Sequence, residues 1–267
     1  MGWRPLKALI GREMAKLFRQ RGRLLSAMVR PLIWLLVIGS GIGSMLGEQG
    51  DSGYREFLAP GIIAMTLLFG SLMASLTLVY DKELGIMRML MIAPFPHYQI
   101  IIGKLIAGTF ASLAQGALLI ALLLLLGYLK LSAVLLALFA AMALTALACA
   151  ALGVLIAVFA KALDNFAVIM NFVIFPVFFL SGALYPVDPL PPGLRAIATA
   201  NPFSYGVDLL KHALQRNAPH PFGPDFTLAT DLAVLVTFTL AAVAIACLRF
   251  SLEVVHAPLI HRLTKRS

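Results

Sequence analysis

Long stretches without a charged residue are the feature that most restricts how this chain can fold. About 20 helical residues cross the hydrocarbon layer of a bilayer, and stretches of roughly this length recur along the chain. They are residues 31–47, 57–80, 105–129, 131–160, 166–185 and 232–248. Charged residues make up only 12% of the chain, against about 25% in soluble domains. The sequence therefore predicts an all-α polytopic membrane protein with six transmembrane helices.

Basic residues are distributed unevenly around the six predicted spans. Eight of the 21 Lys and Arg residues lie within residues 1–30, ahead of the first span. With the N-terminus inside the cell, 16 basic residues fall on the cytoplasmic side and five on the outer side. This asymmetry follows the positive-inside rule. We therefore expect a multi-pass protein with both termini cytoplasmic, and no binding of nucleic acid.

Two polar segments are predicted on the cytoplasmic side. Within residues 1–30, apolar residues recur at spacings of three and four with basic residues between them, which predicts an amphipathic interfacial helix in contact with membrane lipids. A solvated basic tail is the alternative. Residues 81–104 mix charged and apolar side chains, and we expect a short surface helix that ends before Pro94. That helix would suit the groove of a cytosolic partner, although a simple surface turn also fits.

The outer segment between the fifth and sixth predicted spans has a different character. Prolines interrupt the first half of residues 185–230, and apolar residues follow them. Short helices that dip part-way into the outer leaflet would satisfy the backbone of such a segment, provided that they pack against protein.

Motifs for chemistry are absent from the sequence. Gly103-Lys104 is the only Gly-Lys pair and lacks the preceding glycine of a phosphate-binding loop. Asp208 and His212, four residues apart, could form a metal or proton pair on one helical face, but an external helix surface explains them equally well. We predict no catalytic, cofactor or metal site in this chain. The uncharged spans also argue against an ion-coupled pump.

Several segments occur in an order and spacing that together carry a family resemblance. They are the basic N-terminal segment, FLAPG at residues 57–61, the pattern of Glu83, Arg88, Leu90 and Pro94 ahead of Gly103-Lys104, LSGALYP at residues 180–186, and NPFSY at residues 201–205 followed by Asp208. With these segments the chain resembles the permease subunits of ABC-2 type exporters, which share their fold with ABCG-like half transporters.

The resemblance implies a single ABC-2 type transmembrane domain over residues 1–267 in the bacterial inner membrane. It implies a second permease, identical or homologous, and two cytosolic ABC ATPase subunits that bind ATP and Mg²⁺. Residues 81–94 would form the coupling helix that receives the movement of the ATPase. Residues 189–215 would form the re-entrant outer helices.

The resemblance also implies roles for individual residues. Residues at the ATPase coupling site would be Asp81, Glu83, Gly85, Arg88, Leu90 and Pro94. Residues lining the substrate path would be Phe69, Met73, Asn171 and Phe175. A charge-free interior suits an amphipathic drug, a lipid or a lipid-linked glycan as cargo. A membrane assembly factor without transport activity and an ion-coupled secondary transporter remain alternative functions.

Overall fold

The described part of the chain is helical throughout. A computed structural model describes residues 4–19, 22, 29, 31–38, 41, 48–92, 96–126, 134–214 and 223–264. The helices are α1 (Arg4–Arg19), α2 (Glu48–Glu83), α3 (Ile86–Ile92), α4 (Tyr98–Leu125), α5 (Val134–Phe159), α6 (Leu163–Ile169), α7 (Phe175–Phe179), α8 (Pro192–Ala200), α9 (Pro202–Leu214) and α10 (Leu228–Thr264), with π-helical turns at Trp34–Ile38 and Met170–Ile174. The predicted all-α class is confirmed.

Four helices are long and apolar enough to cross a membrane. They are Phe57–Glu83 of α2, Tyr98–Leu125 of α4, Val134–Phe159 of α5 and Leu228–Leu252 of α10. Three of them extend past the uncharged stretches and carry Asp81, Lys104 and Asp231 near their ends, all buried. These charged residues lie directly outside the predicted uncharged spans, because the helices continue beyond the apolar residues that define them in the sequence.

The fifth predicted span, residues 166–185, is divided in the structure. The shorter apolar path Leu163–Phe179 consists of α6, a π-helical turn and α7. Pro176 lies in the first turn of α7, and a proline has no N–H to donate to the preceding helical turn. The irregular backbone ahead of it follows from that missing donor. About half of the first predicted span, residues 39–40 and 42–47 of 31–47, lies outside the described residues.

Three of the four long helices run in one direction, and α4 runs in the opposite direction. Lys104 of α4 contacts Asp81 of α2, and Gln115 of α4 lies against Gly70 of α2, so α2 and α4 are antiparallel. Helix α5 runs parallel to α2, since Ser71 of α2 donates a hydrogen bond to the Ala146 carbonyl and Lys82, further along α2, donates one to the Val158 carbonyl. Helices α9 and α10 both pack on α5. This arrangement gives the bundle two ends, one near α1 and one near α9.

The NPFSY segment forms the corner between α8 and α9. Asn201 accepts a hydrogen bond from the Phe203 amide at 3.0 Å and donates one to the Val177 carbonyl at 2.7 Å, which ties the start of α9 to α7. The Ser204 and Tyr205 hydroxyls donate to carbonyls at the end of α8. Residues 189–215 thus include two short helices joined by a hydrogen-bonded corner.

The LSGALYP and FLAPG segments contact each other. Gly182 has a φ of +77°, a left-handed conformation that glycine adopts without strain. This turn places the carbonyl of Ala183 directly against Gly61 of α2, so that a Cβ at Gly61 would collide with backbone atoms. Gly61 is therefore required for the close approach of the turn to α2.

We expect Gly61→Ala to destabilise the protein, because the added methyl group meets a carbonyl that cannot move alone. Overpacking of this kind costs about 1–3 kcal/mol, which should lower the thermal unfolding midpoint of the purified chain in detergent. Gly193→Ala on α8 is the matched control, since nothing lies within 4 Å of its added Cβ. Equal midpoints for the two variants would contradict the predicted contact.

Candidate functional site

Five charged side chains join three helices at the α1 end of the bundle. We call Arg12, Glu13, Lys16, Asp81 and Lys104 the charged junction. Lys104 lies at its centre, with Nζ 2.6 Å from Asp81 Oδ2 and 3.1 Å from Glu13 Oε1. The Lys104 side chain is only 2% exposed and that of Asp81 only 3%. Helices α1, α2 and α4 are thus connected by a buried ion pair with a third charged member.

Two further cations complete the charged junction from the side of α1. Arg12 Nη2 is 2.8 Å from Glu13 Oε1 and 3.3 Å from Asp81 Oδ2, while Lys16 Nζ is 3.4 Å from an oxygen of each carboxylate. Three cations therefore surround two carboxylates. Because buried carboxylates are tolerated when they are paired and hydrogen-bonded, α1 can dock with Glu13 facing the bundle.

Glu13 is the functional residue that sequence reasoning missed. It is the first acidic residue in a strongly basic segment, and it follows the buried Leu9 by four positions on the same helical face. Leu9 packs so closely on Gly103 of α4 that a Cβ there would overlap it. An acid on the apolar face of an otherwise basic helix is the signal that could have identified this docking contact.

The charged junction lowers the pKa of Glu13 below its ordinary value of 4.5. Burial alone would raise this pKa, but the positive charges of Lys104 and Lys16 and the hydrogen bonds from Lys104 and Arg12 together outweigh it. Glu13 is therefore held as a carboxylate, and the folded state favours its charged form.

Three consecutive residues at the end of α2 contact four other helices. Asp81 belongs to the charged junction and so contacts α1 and α4. Lys82 Nζ donates to the Val158 carbonyl at 2.6 Å, in the last turn of α5, and Glu83 Oε1 accepts the Leu163 amide at 2.8 Å, at the start of α6. A cation at a helix C-terminus and an anion at an N-terminus both complement the helix dipole.

The predicted coupling segment, residues 81–94, comprises this contact point at the end of α2 and the separate short helix α3. Gly85 has a φ of +71° and ends α2, so that α3 starts in a new direction. Met87 of α3 is buried and Leu90 packs on the core, whereas Leu84 is 71% and Met89 75% exposed. The Arg88 side chain and Pro94 lie outside the description. The predicted coupling residues Asp81 and Glu83 both contact the bundle.

The residues predicted to line a substrate path occupy two environments. The Phe69 and Phe175 rings pack with centroids 5.6 Å apart, and Phe178 lies 6.4 Å from Phe69. Met73 is half-buried on α2. Asn171 instead is exposed and donates to the Ala167 carbonyl of its own helical turn at 3.1 Å. The structure therefore brings Phe69 and Phe175 together in an aromatic cluster.

Comparison with known proteins identifies the family. Residues 4–214 match the family described as ABC-2 type transporter. The chain belongs to this family. As an ABC-2 permease it is a membrane transport subunit rather than a catalytic one. The match includes the charged junction, the exposed α3 and the two short helices α8 and α9.

Individual relatives support the same assignment. Nodulation protein J of Rhizobium leguminosarum bv. trifolii is 33% identical over 191 residues, which cover 70% of this chain and 72% of that protein. Nodulation protein J of Neorhizobium galegae is 31% identical over 85% of both chains. The inner membrane transport permease YadH of Escherichia coli K12 is 27% identical over 90% of this permease and 91% of its own length.

We expect Lys104→Met to destabilise the permease strongly, because it leaves the buried Asp81 and Glu13 carboxylates without their central cation. Breaking a buried ion pair from one side costs about 3–5 kcal/mol. Thermal unfolding of the purified variant measures the loss. Arg195→Met is the control, since the Arg195–Asp188 pair is exposed and exposed pairs contribute about 0–1 kcal/mol. A loss no larger in Lys104→Met than in this control would show that the junction is unimportant.

We expect the stability contributed by Glu13 to depend on pH. Because its folded-state pKa is lowered, this contribution is fully present above its unfolded-state pKa and is lost as the pH falls through the folded-state pKa. The Glu13→Gln variant should be less stable than the wild-type chain near neutral pH. The difference in unfolding midpoint between the two should become smaller as the pH is lowered below 4.5. Unfolding midpoints over that range test this, with Asp188→Asn as an exposed control. A deficit that is constant with pH would contradict the prediction.

Proposed function

We propose that this chain is the permease subunit of an ATP-driven exporter of the bacterial inner membrane, powered by separate ABC ATPase subunits. The observation that carries the proposal is the position of α3. Leu84, just before this helix, and Met89 within it are exposed apolar side chains. They follow directly after the residues that connect α2 to α1, α4, α5 and α6. Membership of the ABC-2 family supplies the ATPase as the class of partner.

The charge distribution supports an orientation with the α1 end in the cytoplasm. Basic residues outnumber acidic ones in α1, and the 16-to-5 asymmetry of basic residues over the whole chain favours this side. In this orientation both termini are cytoplasmic, α3 faces the cytosol, and α8 and α9 lie on the outer side as the re-entrant helices.

The contacts at the end of α2 suggest how movement of the ATPase reaches the membrane. A force applied to α3 acts through Gly85 on residues 81–83, which are held to four other helices. Because packed helices shift as units between discrete arrangements, displacement of α3 would change access to a path between two permease copies. Differential binding of the ATPase to the two arrangements drives this change.

The proposed cargo is an amphipathic drug, a lipid or a lipid-linked glycan. The aromatic cluster that includes Phe69 and Phe175 adjoins the π-helical turn, where Asn171 and Phe172 are exposed. Aromatic and amide groups side by side suit a ligand with an apolar body and a polar part. A second permease copy, identical or homologous, would complete the path against this surface.

We expect the double substitution Leu84→Glu and Met89→Glu to prevent ATPase binding without affecting the bundle, because both side chains point away from it. The tagged chain, purified from membranes in mild detergent, should recover a P-loop ATPase identified by mass spectrometry. Recovery should fall at least tenfold for the double variant.

Lys161→Glu is the control for this experiment. It introduces a negative charge in the exposed α5–α6 connection, on the same side of the bundle, and should leave recovery of the ATPase unchanged. If no ATPase is purified with the correctly inserted wild-type chain, the proposal is wrong and an assembly factor becomes the better interpretation. Equal recovery with the wild-type and the double variant would place the ATPase contact elsewhere.

A further inference from the structure

Two carboxylates and an imidazole meet at the α9 end of the bundle, opposite the charged junction. We call Asp208, His212 and Asp231 the carboxylate–histidine cluster. Asp208 and His212 lie four residues apart on α9, and Asp231 lies in the first turn of α10. His212 Nε2 is 3.7 Å from Asp208 Oδ2 and 3.4 Å from Asp231 Oδ2. One potential ligand atom from each side chain lies within 4.8 Å of the other two.

Asp231 is the unusual member of this cluster. It is fully buried, with 0% of its surface exposed, and neither of its carboxylate oxygens has a hydrogen-bond partner. Burying a carboxylate without a partner is strongly unfavourable. Asp208 is also buried, but its oxygens accept the amides of Asp225 and Phe226 at 2.7 and 2.9 Å. The Asp208 carboxylate is therefore stabilised by hydrogen bonds, whereas the Asp231 carboxylate requires a counterion or a proton.

The neighbouring lysine is paired with a third carboxylate. Lys211 is buried and its Nζ lies 2.6 Å from Asp225 Oδ2, so the Asp225 carboxylate offsets its charge. Within the part of the chain that the structure describes, His212 is the remaining basic side chain within 4 Å of either cluster carboxylate. With a neutral imidazole the cluster carries two negative charges when both carboxylates are ionised.

We propose that the carboxylate–histidine cluster binds a divalent transition-metal ion, with Zn²⁺ as the best match. One imidazole nitrogen and two carboxylate oxygens are ligands that Zn²⁺ accepts, at about 2.0–2.2 Å each. Ligands at that distance in a tetrahedral site lie about 3.4 Å from one another. The distances of 3.4 and 3.7 Å from His212 Nε2 fit this spacing, and a divalent cation balances both carboxylates.

The surroundings of His212 allow an ion to enter and to be held. His212 lines an open groove between α5, α9 and α10, together with Leu209 and Leu232. Its Nε2 lies 3.0 Å from the Phe226 carbonyl oxygen, which accepts the Nε2 proton in the metal-free chain. An ion that replaces this proton would lie close to the carbonyl, which could then serve as a further oxygen ligand. Binding requires an unprotonated Nε2, and the ring proton then resides on Nδ1. The ion would tie α9 to the start of α10.

Metal binding to the full-length, tag-free chain in detergent tests the proposal. After treatment with a chelator and removal of the chelator, isothermal titration with Zn²⁺ should show one site per chain. Co²⁺ should give the visible absorption of a four-coordinate ion. His212→Gln and Asp231→Asn each remove one ligand, and each should weaken Zn²⁺ binding at least tenfold. Asp188→Asn, an exposed acid of the same half of the chain, should bind as the wild-type chain does.

Three results would overturn the proposal. The first is a wild-type chain that binds no stoichiometric Zn²⁺ at micromolar concentrations. The second is Zn²⁺ binding that persists unchanged in both ligand variants, which would place the ion at another site. The third is an Asp231→Asn variant that is more stable than the wild-type chain whether or not Zn²⁺ is added, which would identify a proton shared by the two carboxylates. If Asp231→Asn does not fold, His212→Gln decides between metal and no metal.

Discussion

The ion pair between Lys104 and Asp81 is the interaction on which the α1 end of the molecule depends. Lys104 lies on one side of an antiparallel helix pair and Asp81 on the other, 2.6 Å apart and shielded from solvent. A buried pair of this kind adds little net stability compared with apolar packing. Its effect is to fix position, because sliding α4 along α2 by one turn would separate Lys104 from Asp81. Glu13 extends the same constraint to α1.

The contacts of residues 81–83 extend this constraint to two further helices, α5 and α6. The three side chains point to different neighbours, and each contact joins a charge to an opposite charge or to the polar end of a helix. Helix α3 begins only three residues later, after the left-handed Gly85. The end of α2 is held in place by these contacts. The left-handed backbone of Gly85 allows α3 to run in a different direction from α2.

The sequence predicted the parts of this fold that depend on hydropathy. Uncharged runs marked the cores of α2, α4, α5 and α10, since burial in lipid requires apolar side chains. It failed where polar residues are satisfied by distant partners. Glu13 is a single acidic residue in a basic segment, and Lys104 and Asp81 each flank an uncharged run. Their pairing becomes visible only when α2 and α4 are placed side by side.

The same limit explains the two remaining differences. The spacing of Asp208 and His212 was visible in the sequence. Asp231 directly precedes an apolar run, and nothing in the sequence indicated that it lies next to them. The division between α6 and α7 depends on Pro176, whose effect on an apolar run is not evident from hydropathy. The segments FLAPG, LSGALYP and NPFSY carried a family resemblance, and the structure gives them physical roles in close contacts and helix capping.

The charged junction has a consequence for the order in which the chain assembles. Its members come from α1, from the end of α2 and from the start of α4, so the docking site of α1 does not exist until Lys104 has been synthesised. Until then, Glu13 lacks the cation that offsets its burial, so docking of α1 is unfavourable. Helix α1 is therefore synthesised before the residues against which it docks. Its docking can follow only when the end of α2 and the start of α4 lie side by side.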